Sequence, residues 1–268
     1  MKKFELPTSI KLTTDVLNVP VGYEMNYKAT PIVMDMTNVV PHAYVVGMTG
    51  SGKSSVTKFM VKQLVENYPA DRLEIWYLDN QGLEVDEISD LKHVSRTADN
   101  VQDAFDALED LVDIMEIRVG YLKSFKVKDI KKYNEKVEEP EKMPFIVCFI
   151  DEMRPVMNHE DLKGAYCDTL KLIVQTARKV GIHLIISTQR ASEGHLDREL
   201  RTAITGKIGL RVSDDVESRN VIGDKGCETI RADEPGEGFV AGFMKKTRFY
   251  TPYVSEESFE ALIEKYGK

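Results

Sequence analysis

The chain has 268 residues, 42% hydrophobic and 30% charged, the make-up of a water-soluble globular protein long enough to bury a substantial core. No apolar run approaches the roughly 18 residues that span a bilayer, and the opening Met1-Lys2-Lys3-Phe4-Glu5-Leu6-Pro7 lacks the apolar stretch of a secretory signal, so a cytoplasmic protein with no membrane segment of its own is expected. A formal net charge of -8 argues against a uniformly basic nucleic-acid-binding surface but leaves room for a local basic channel, and the three widely spaced cysteines Cys148, Cys167 and Cys227 indicate neither a disulfide framework nor a zinc site.

In chain order, residues 1–40 are rich in Val, Thr, Tyr and Pro without a helical period, and read as a β-rich lead-in packed on a main domain of residues 41–268. From about residue 43, short apolar runs alternate with segments of helical period, the pattern of β-α units that build a mostly parallel sheet flanked by helices. Residues 43–46 predict a buried strand, 53–66 a helix and 73–78 a second strand. Val101, Phe105, Leu108, Leu111, Met115, Val119 and Leu122 recur at spacings of three and four and predict one long amphipathic helix. Residues 123–142, with six lysines followed by Glu138, Glu139, Pro140 and Glu141, read as a surface excursion. The apolar run 145–150 predicts a third strand, followed by a helix at about 170–179, strands at 182–186 and 207–212, a hairpin-like pair around 239–243 and 248–250, and a closing helix at 255–266.

Three of the predicted strands end in residues that carry chemistry. Gly47-Met48-Thr49-Gly50-Ser51-Gly52-Lys53-Ser54-Ser55 fits the pattern G-x-x-x-x-G-K-[ST] between a strand and a helix. Gly47, Gly50 and Gly52 let backbone N–H groups turn toward phosphates, and Thr49, Ser51 and Ser55 complete the loop. Lys53 reaches the β- and γ-phosphates, the Ser54 hydroxyl joins a Mg²⁺ shell, and the positive end of the following helix adds its field. ATP and Mg²⁺ are therefore the expected ligands. Strand 145–150 delivers Asp151 and Glu152 and resembles a Walker B motif: Asp151 would hold Mg²⁺ through water and Glu152 would polarise the attacking water. Strand ends of one parallel sheet converge on the ligand crevice, so Gln189, in Ser187-Thr188-Gln189-Arg190, is placed to sense the γ-phosphate, with a plain polar loop start as the alternative. Arg178, near a helix C-terminus, fits both an arginine finger reaching a neighbouring subunit's nucleotide and simple pairing with the helix dipole. His42, His93, His159, His183 and His195 show no metal-ligand spacing and read as packed or surface imidazoles.

From about Val33 to Phe259 the chain resembles the FtsK/SpoIIIE family of ring-forming DNA translocases, P-loop ATPases of the FtsK/HerA type. The likeness is carried by the lead into the phosphate loop, by Ala177-Arg178-Lys179-Val180-Gly181-Ile182-His183-Leu184 with Ser187-Thr188-Gln189-Arg190, by Arg211-Val212-Ser213 with Glu217-Ser218-Arg219, by the turn 236–239, and by Tyr253-Val254-Ser255-Glu256-Glu257. The resemblance implies a RecA-like motor domain that forms a homo-oligomer, a hexamer, hydrolyses ATP between subunits and moves double-stranded DNA through a central pore. It maps Arg178 onto the arginine finger and Arg190 onto a basic, DNA-binding pore-loop residue. Three departures accompany it. Asp215, beside Asp214, stands where the translocases place a pore-loop lysine, Asp79-Asn80-Gln81 replaces D-P-K, and neither membrane segments nor a C-terminal winged-helix reader are recognisable. The expected activity is that of a minimal stand-alone DNA pump for a mobile element, in conjugative transfer or phage genome handling. The alternative is an ATPase that recruits or threads protein, which acidic pore residues would favour. A membrane-protein partner is open to either.

Overall fold

The computed structural model describes residues 7–81, 85–192 and 198–268; His195 lies outside them. The elements run β1 (Asn18–Glu24), β2 (Pro31–Asp35), β3 (Ala43–Val46), α1 (Lys53–Asn67), β4 (Leu73–Asp79), α2 (Val85–Ser89), β5 (Val94–Ala98), α3 (Val101–Ser124), α4 (Ile130–Asn134), β6 (Phe145–Asp151), α5 (Arg154–Met157), α6 (Lys163–Thr176), a 3-10 turn (Ala177–Val180), β7 (Ile182–Thr188), α7 (Arg198–Ala203), β8 (Gly206–Gly209), α8 (Asp215–Ile222), a second 3-10 turn (Cys227–Thr229), β9 (Glu237–Ala241), β10 (Thr247–Tyr250) and α9 (Glu256–Tyr266).

Among the described residues ten strands join one sheet in the order β2-β1-β10-β9-β8-β3-β7-β6-β4-β5. From β8 to β5 the pairing is parallel; from β8 through β9, β10 and β1 to β2 it is antiparallel. The lead-in thus enters the sheet, with Tyr23 opposite Tyr250. In the parallel half the central strands are apolar runs because helices cover both faces. Along β6, Phe145, Val147 and Phe149 pack into the core with Phe59 and Leu64 of α1, while Ile146, Cys148 and Ile150 pack into the core with Leu108 and Leu111 of α3 and Leu170 of α6. That is the two-residue alternation of a strand read from both sides. Each such buried side chain contributes about 1.5–3 kcal/mol.

Several elements differ from the sequence expectation for identifiable reasons. The stretch 123–142 lies at the surface but is anchored: α4 tucks Ile130 and Tyr133 inward, Val137 follows them, and Asn134 exchanges two hydrogen bonds of 2.9 Å with the backbone of Met143. Its lysines sit on the outer side of a packed turn. Edge strand β5 was not legible because Ser95, Arg96 and Thr97 mask its pattern. The strand expected at 207–212 pairs regularly only to Gly209, since the loop after β3 turns away; Leu210 N–H still reaches the Val46 carbonyl at 2.8 Å and Met48 N–H the Arg211 carbonyl at 3.0 Å. The helix expected at 170–179 begins at Lys163 and tightens into the first 3-10 turn after Thr176.

The sheet has two functionally different edges. The C-terminal ends of β3, β7, β6 and β4 lie side by side, with Val46 opposite Thr188 and Asp79 opposite Asp151. The N-terminal ends lie at the opposite edge, below the 3-10 turn that carries Arg178.

Candidate nucleotide site

The loop between β3 and α1 is built by its glycines. Gly50 and Gly52 adopt φ of +75° and +97°, a region L side chains rarely enter. A Cβ on Gly52 would lie 2.3 Å from the backbone nitrogen of Gly236, whose N–H donates to the Ser51 carbonyl at 2.9 Å, so the loop rests directly on the turn before β9. Helix α1 then starts without a side-chain cap and with no acid in its first turn. Helices α3, α4, α8 and α9 are capped by Asn100, Asp129, Asp214 and Ser255, whereas α5 and α6, like α1, have no side-chain cap. An uncapped start leaves backbone N–H groups for an anion.

Within the loop the Lys53 ammonium folds back on the Gly47 carbonyl at 2.8 Å. Ser51 Oγ is buried without a hydrogen-bond partner among the described residues. It packs beneath the loop, where a Cβ added to Gly47 would come within 2.4 Å of it. Ser54 and Ser55 lie in the first turn of α1.

Two other strand ends close on this loop. From β7, the Thr188 carbonyl accepts from Gly47 N–H at 3.2 Å, and Gln189 Oε1 accepts from the Thr49 hydroxyl at 3.3 Å. From β6, Asp151 ends the strand and Glu152 follows it with φ +45° and only 2% exposure. Glu152 Oε1 accepts from the Thr188 hydroxyl and from Arg154 N–H, both at 3.1 Å. A non-glycine residue in the left-handed region costs on the order of 1–3 kcal/mol and persists where its surroundings enforce it. The structure thus gathers Gly47, Thr49, Gly50, Ser51, Gly52, Lys53, Ser54, Ser55, Asp151, Glu152 and Gln189 at one crevice.

Sequence reasoning missed Asn80. It enters only as a departure from D-P-K, yet its buried amide donates to the carbonyls of Asp151 at 3.1 Å and Glu152 at 3.2 Å, with the Tyr166 hydroxyl on its Oδ1 at 3.5 Å. Asn80 therefore braces the strained turn that aims Glu152. The available signal was its position at the end of β4, next to β6, but strand order is not written in the chain.

Arg178 is not in this crevice. It is exposed at the opposite edge, donating from Nε to the Thr37 carbonyl at 3.0 Å and from Nη2 to the Asn38 carbonyl. Arg190 follows Gln189 directly and is exposed. The neighbouring acids are already engaged. Asp214 caps α8; the N–H of Glu217, then the Ser213 hydroxyl, and more weakly the charge of Arg190 hold its carboxyl below the usual range. Asp215 pairs with Arg219 at 3.0 Å and Lys225 at 3.1 Å, and its carboxyl is held low chiefly by Lys225.

His42 and His183 are buried and bonded to the main chain. His42 accepts from Leu184 N–H at 3.0 Å and His183 faces the Pro41 carbonyl at 2.9 Å, and burial pushes their pKa values down to about 3 and about 4. Among the described residues no cluster of three His, Cys, Asp or Glu side chains forms a metal cage. Mg²⁺ needs none, being commonly bound by one or two carboxylates together with substrate phosphates.

A sequence model of the FtsK/SpoIIIE family matches residues 7–232. The chain belongs to the FtsK/SpoIIIE family. Among curated relatives, the DNA translocase FtsK of Leptospira interrogans (serogroup Icterohaemorrhagiae, serovar copenhageni) is 31% identical over 271 residues, an alignment covering 94% of this chain and 27% of that protein. Among solved structures, the cytoplasmic domain of the Thermomonospora curvata Type VII secretion ATPase EccC superposes with a TM-score of 0.78 at 25% identity, over 96% of this chain and 32% of that one. The pCW3 conjugation coupling protein TcpA, in a monomer form with ATPgS, gives 0.76 at 21% identity, over 97% and 75%. The fold is that of a family P-loop ATPase domain, and the chain spans less than a third of the length of the FtsK relative. Among the described residues no helix is long and apolar enough to cross a membrane.

Proposed function

We propose that this chain is the motor domain of a ring, a hexamer, that hydrolyses ATP between subunits in the cytoplasm and drives double-stranded DNA through its centre for a mobile element, in conjugative transfer or phage genome handling. In this reading residues 41–268 are the motor and residues 1–40 its β-rich lead-in, joined through the β1–β10 pairing.

The observation that carries the reading is the position of Arg178 relative to Gln189. They flank β7 at its two ends, and a seven-residue strand separates its ends by roughly 20 Å. One nucleotide cannot touch both residues of one chain. An arginine finger at Arg178 therefore serves the crevice of a neighbour, which makes the active site a property of the ring.

At the crevice, Lys53 would exchange its bond to the Gly47 carbonyl for the β- and γ-phosphates. Ser54 and Asp151 would hold Mg²⁺, which when bound supplies neutralising charge for the phosphates. Glu152 accepts a proton as water attacks the γ-phosphorus; the new P–O bond forms as the bond to the β–γ bridging oxygen breaks, giving ADP and phosphate. Gln189 hydrogen-bonds the γ-phosphate side, and Arg178 of the adjacent subunit balances the developing charge.

DNA is favoured as cargo because Arg190 is exposed beside a first turn of α8 whose acids are committed, Asp214 to the helix cap and Asp215 to Arg219 and Lys225. The second reading, a motor acting on protein, is supported by the likeness to the secretion ATPase EccC. ATP hydrolysis measured with and without long duplex DNA, with Lys53→Ala and Glu152→Gln as controls, separates the two. Stimulation by duplex is expected; its absence across a range of salt would remove the DNA reading.

A further inference from the structure

The segment after β7 is fastened at closely spaced positions. Gln189 is tied to the phosphate loop through Thr49 at 3.3 Å. Arg190 is exposed. Ala191 is fully buried: its N–H donates to Glu217 Oε1 and its carbonyl accepts from Arg201 of α7. Glu217 lies in the first turn of α8, where its own N–H donates to Asp214 Oδ1 at 2.9 Å.

Glu217 is only 8% exposed, and its charge is spent on a main-chain N–H. A charge-assisted hydrogen bond of that kind is about twice as strong as a neutral one, and removing the acceptor strands a buried donor. The carboxylate that grips Ala191 and the cap that starts α8 thus belong to one turn of backbone. Arg190 lies close enough to this turn for its charge to act on Asp214, and Val216 within the turn is 61% exposed. A continuous path of bonded groups leads from Thr49 to that exposed surface.

We propose that Glu217, assisted by Arg201, is a positioning residue that couples occupancy of the phosphate loop to the surface formed by Arg190 and the first turn of α8. The inference rests on the reading that Gln189 faces the γ-phosphate. When a phosphate draws Thr49 or Gln189 out of their mutual bond, the main chain at Ala191 follows, and Glu217 passes the shift to α8. Neither Glu217 nor Arg201 touches the reacting atoms.

The test uses the full chain, ATPγS with Mg²⁺, and amide hydrogen exchange across residues 213–220. In the wild-type protein nucleotide changes exchange there by about fivefold or more, the lower bound of ordinary allosteric coupling. Glu217→Ala binds ATPγS within about twofold of wild type and loses this response, and Glu217→Gln, which keeps Oε1 as an acceptor, restores it. Arg201→Ala at least halves the response, and it decides the matter if Glu217→Ala fails to fold. In steady-state hydrolysis the loss falls on kcat with KM for ATP retained. An unchanged exchange response in Glu217→Ala or Arg201→Ala, or no response in wild-type protein that binds nucleotide, overturns the coupling. Failure to bind ATPγS at all overturns both readings, whereas absence of stimulation by duplex DNA removes only the DNA reading.

Discussion

The two edges of the parallel sheet hold their polar groups in different ways. At the C-terminal edge two side-chain pairs, Thr49 with Gln189 and Thr188 with Glu152, stand beside side-chain-to-main-chain bonds from Lys53 to Gly47 and from Asn80 to Asp151 and Glu152. At the N-terminal edge, side chains hold main chain: Arg178 on Thr37 and Asn38, His183 on Pro41, Arg118 on Val180 at 2.8 Å, and His42 on Leu184. Of the two, only the first edge carries side-chain pairs whose partners a ligand could separate. Under the proposed function the first edge exchanges contacts and the second keeps them.

That contrast can be broken experimentally, beginning with the largest expected effect. Arg178→Ala should lower kcat by about 10³-fold, the lower range for an arginine finger, while each subunit keeps its ATP affinity; single-turnover rates with mass measurement under ATP and Mg²⁺ check this, and rapid hydrolysis by a strict monomer would return Arg178 to a purely structural role. Glu152→Gln should cost about 10²-fold or more in kcat through loss of the general base, with little change in Tm because the amide keeps an acceptor for Thr188. Asn80→Ala should cost about tenfold in kcat, smaller than the loss that about 1 Å of misplacement can cause, at constant KM, and a loss confined to Tm would make Asn80 a packing residue only.

The N-terminal edge predicts a stability effect without a catalytic one. Buried His183 has its pKa lowered to about 4 from an ordinary 6.5, so the unfolded chain binds the more protons between these values. Stability is complete above pH 6.5 and falls as pH drops toward 4, by about 1.4 kcal/mol per pH unit for this histidine. His183→Gln should lessen the slope in denaturant titrations by this one histidine's share, leaving that of buried His42, and leave ATP affinity at neutral pH unchanged.

Much of the exchanging edge was legible, because glycine geometry and phosphate chemistry restrict residue types locally: Gly47 through Ser55 and the acids after β6 carry their context in adjacent residues. The long helix α3 and the central strands were legible from period alone. What was not legible depends on distant partners. Asn80 acquires its role only when β4 lies beside β6, and Arg178 finds carbonyls of a turn that precedes β3. The acidic pair at Asp214 and Asp215 looks repulsive to phosphate in sequence, but Asp215 is paired with Arg219 and Lys225, and Asp214 is turned to the cap of α8. Likewise the lysines of residues 123–142 hide Ile130, Tyr133 and Val137, which with Asn134 anchor that segment.

The contact between Gly52 and Gly236 constrains how the chain can vary. Because the two backbones touch where a Cβ would stand, and Gly236 also accepts from Thr251 N–H at 2.9 Å, the floor of the phosphate loop is supplied by the antiparallel half of the sheet. Gly236 itself holds φ +85°, and a Cβ on it would lie 3.1 Å from the Thr251 carbonyl, so in a saturation library selected for nucleotide binding position 236 should disfavour other residues as Gly52 does. Mutational tolerance would then map the nucleotide site as two segments remote in sequence, one of them bearing no phosphate-binding motif.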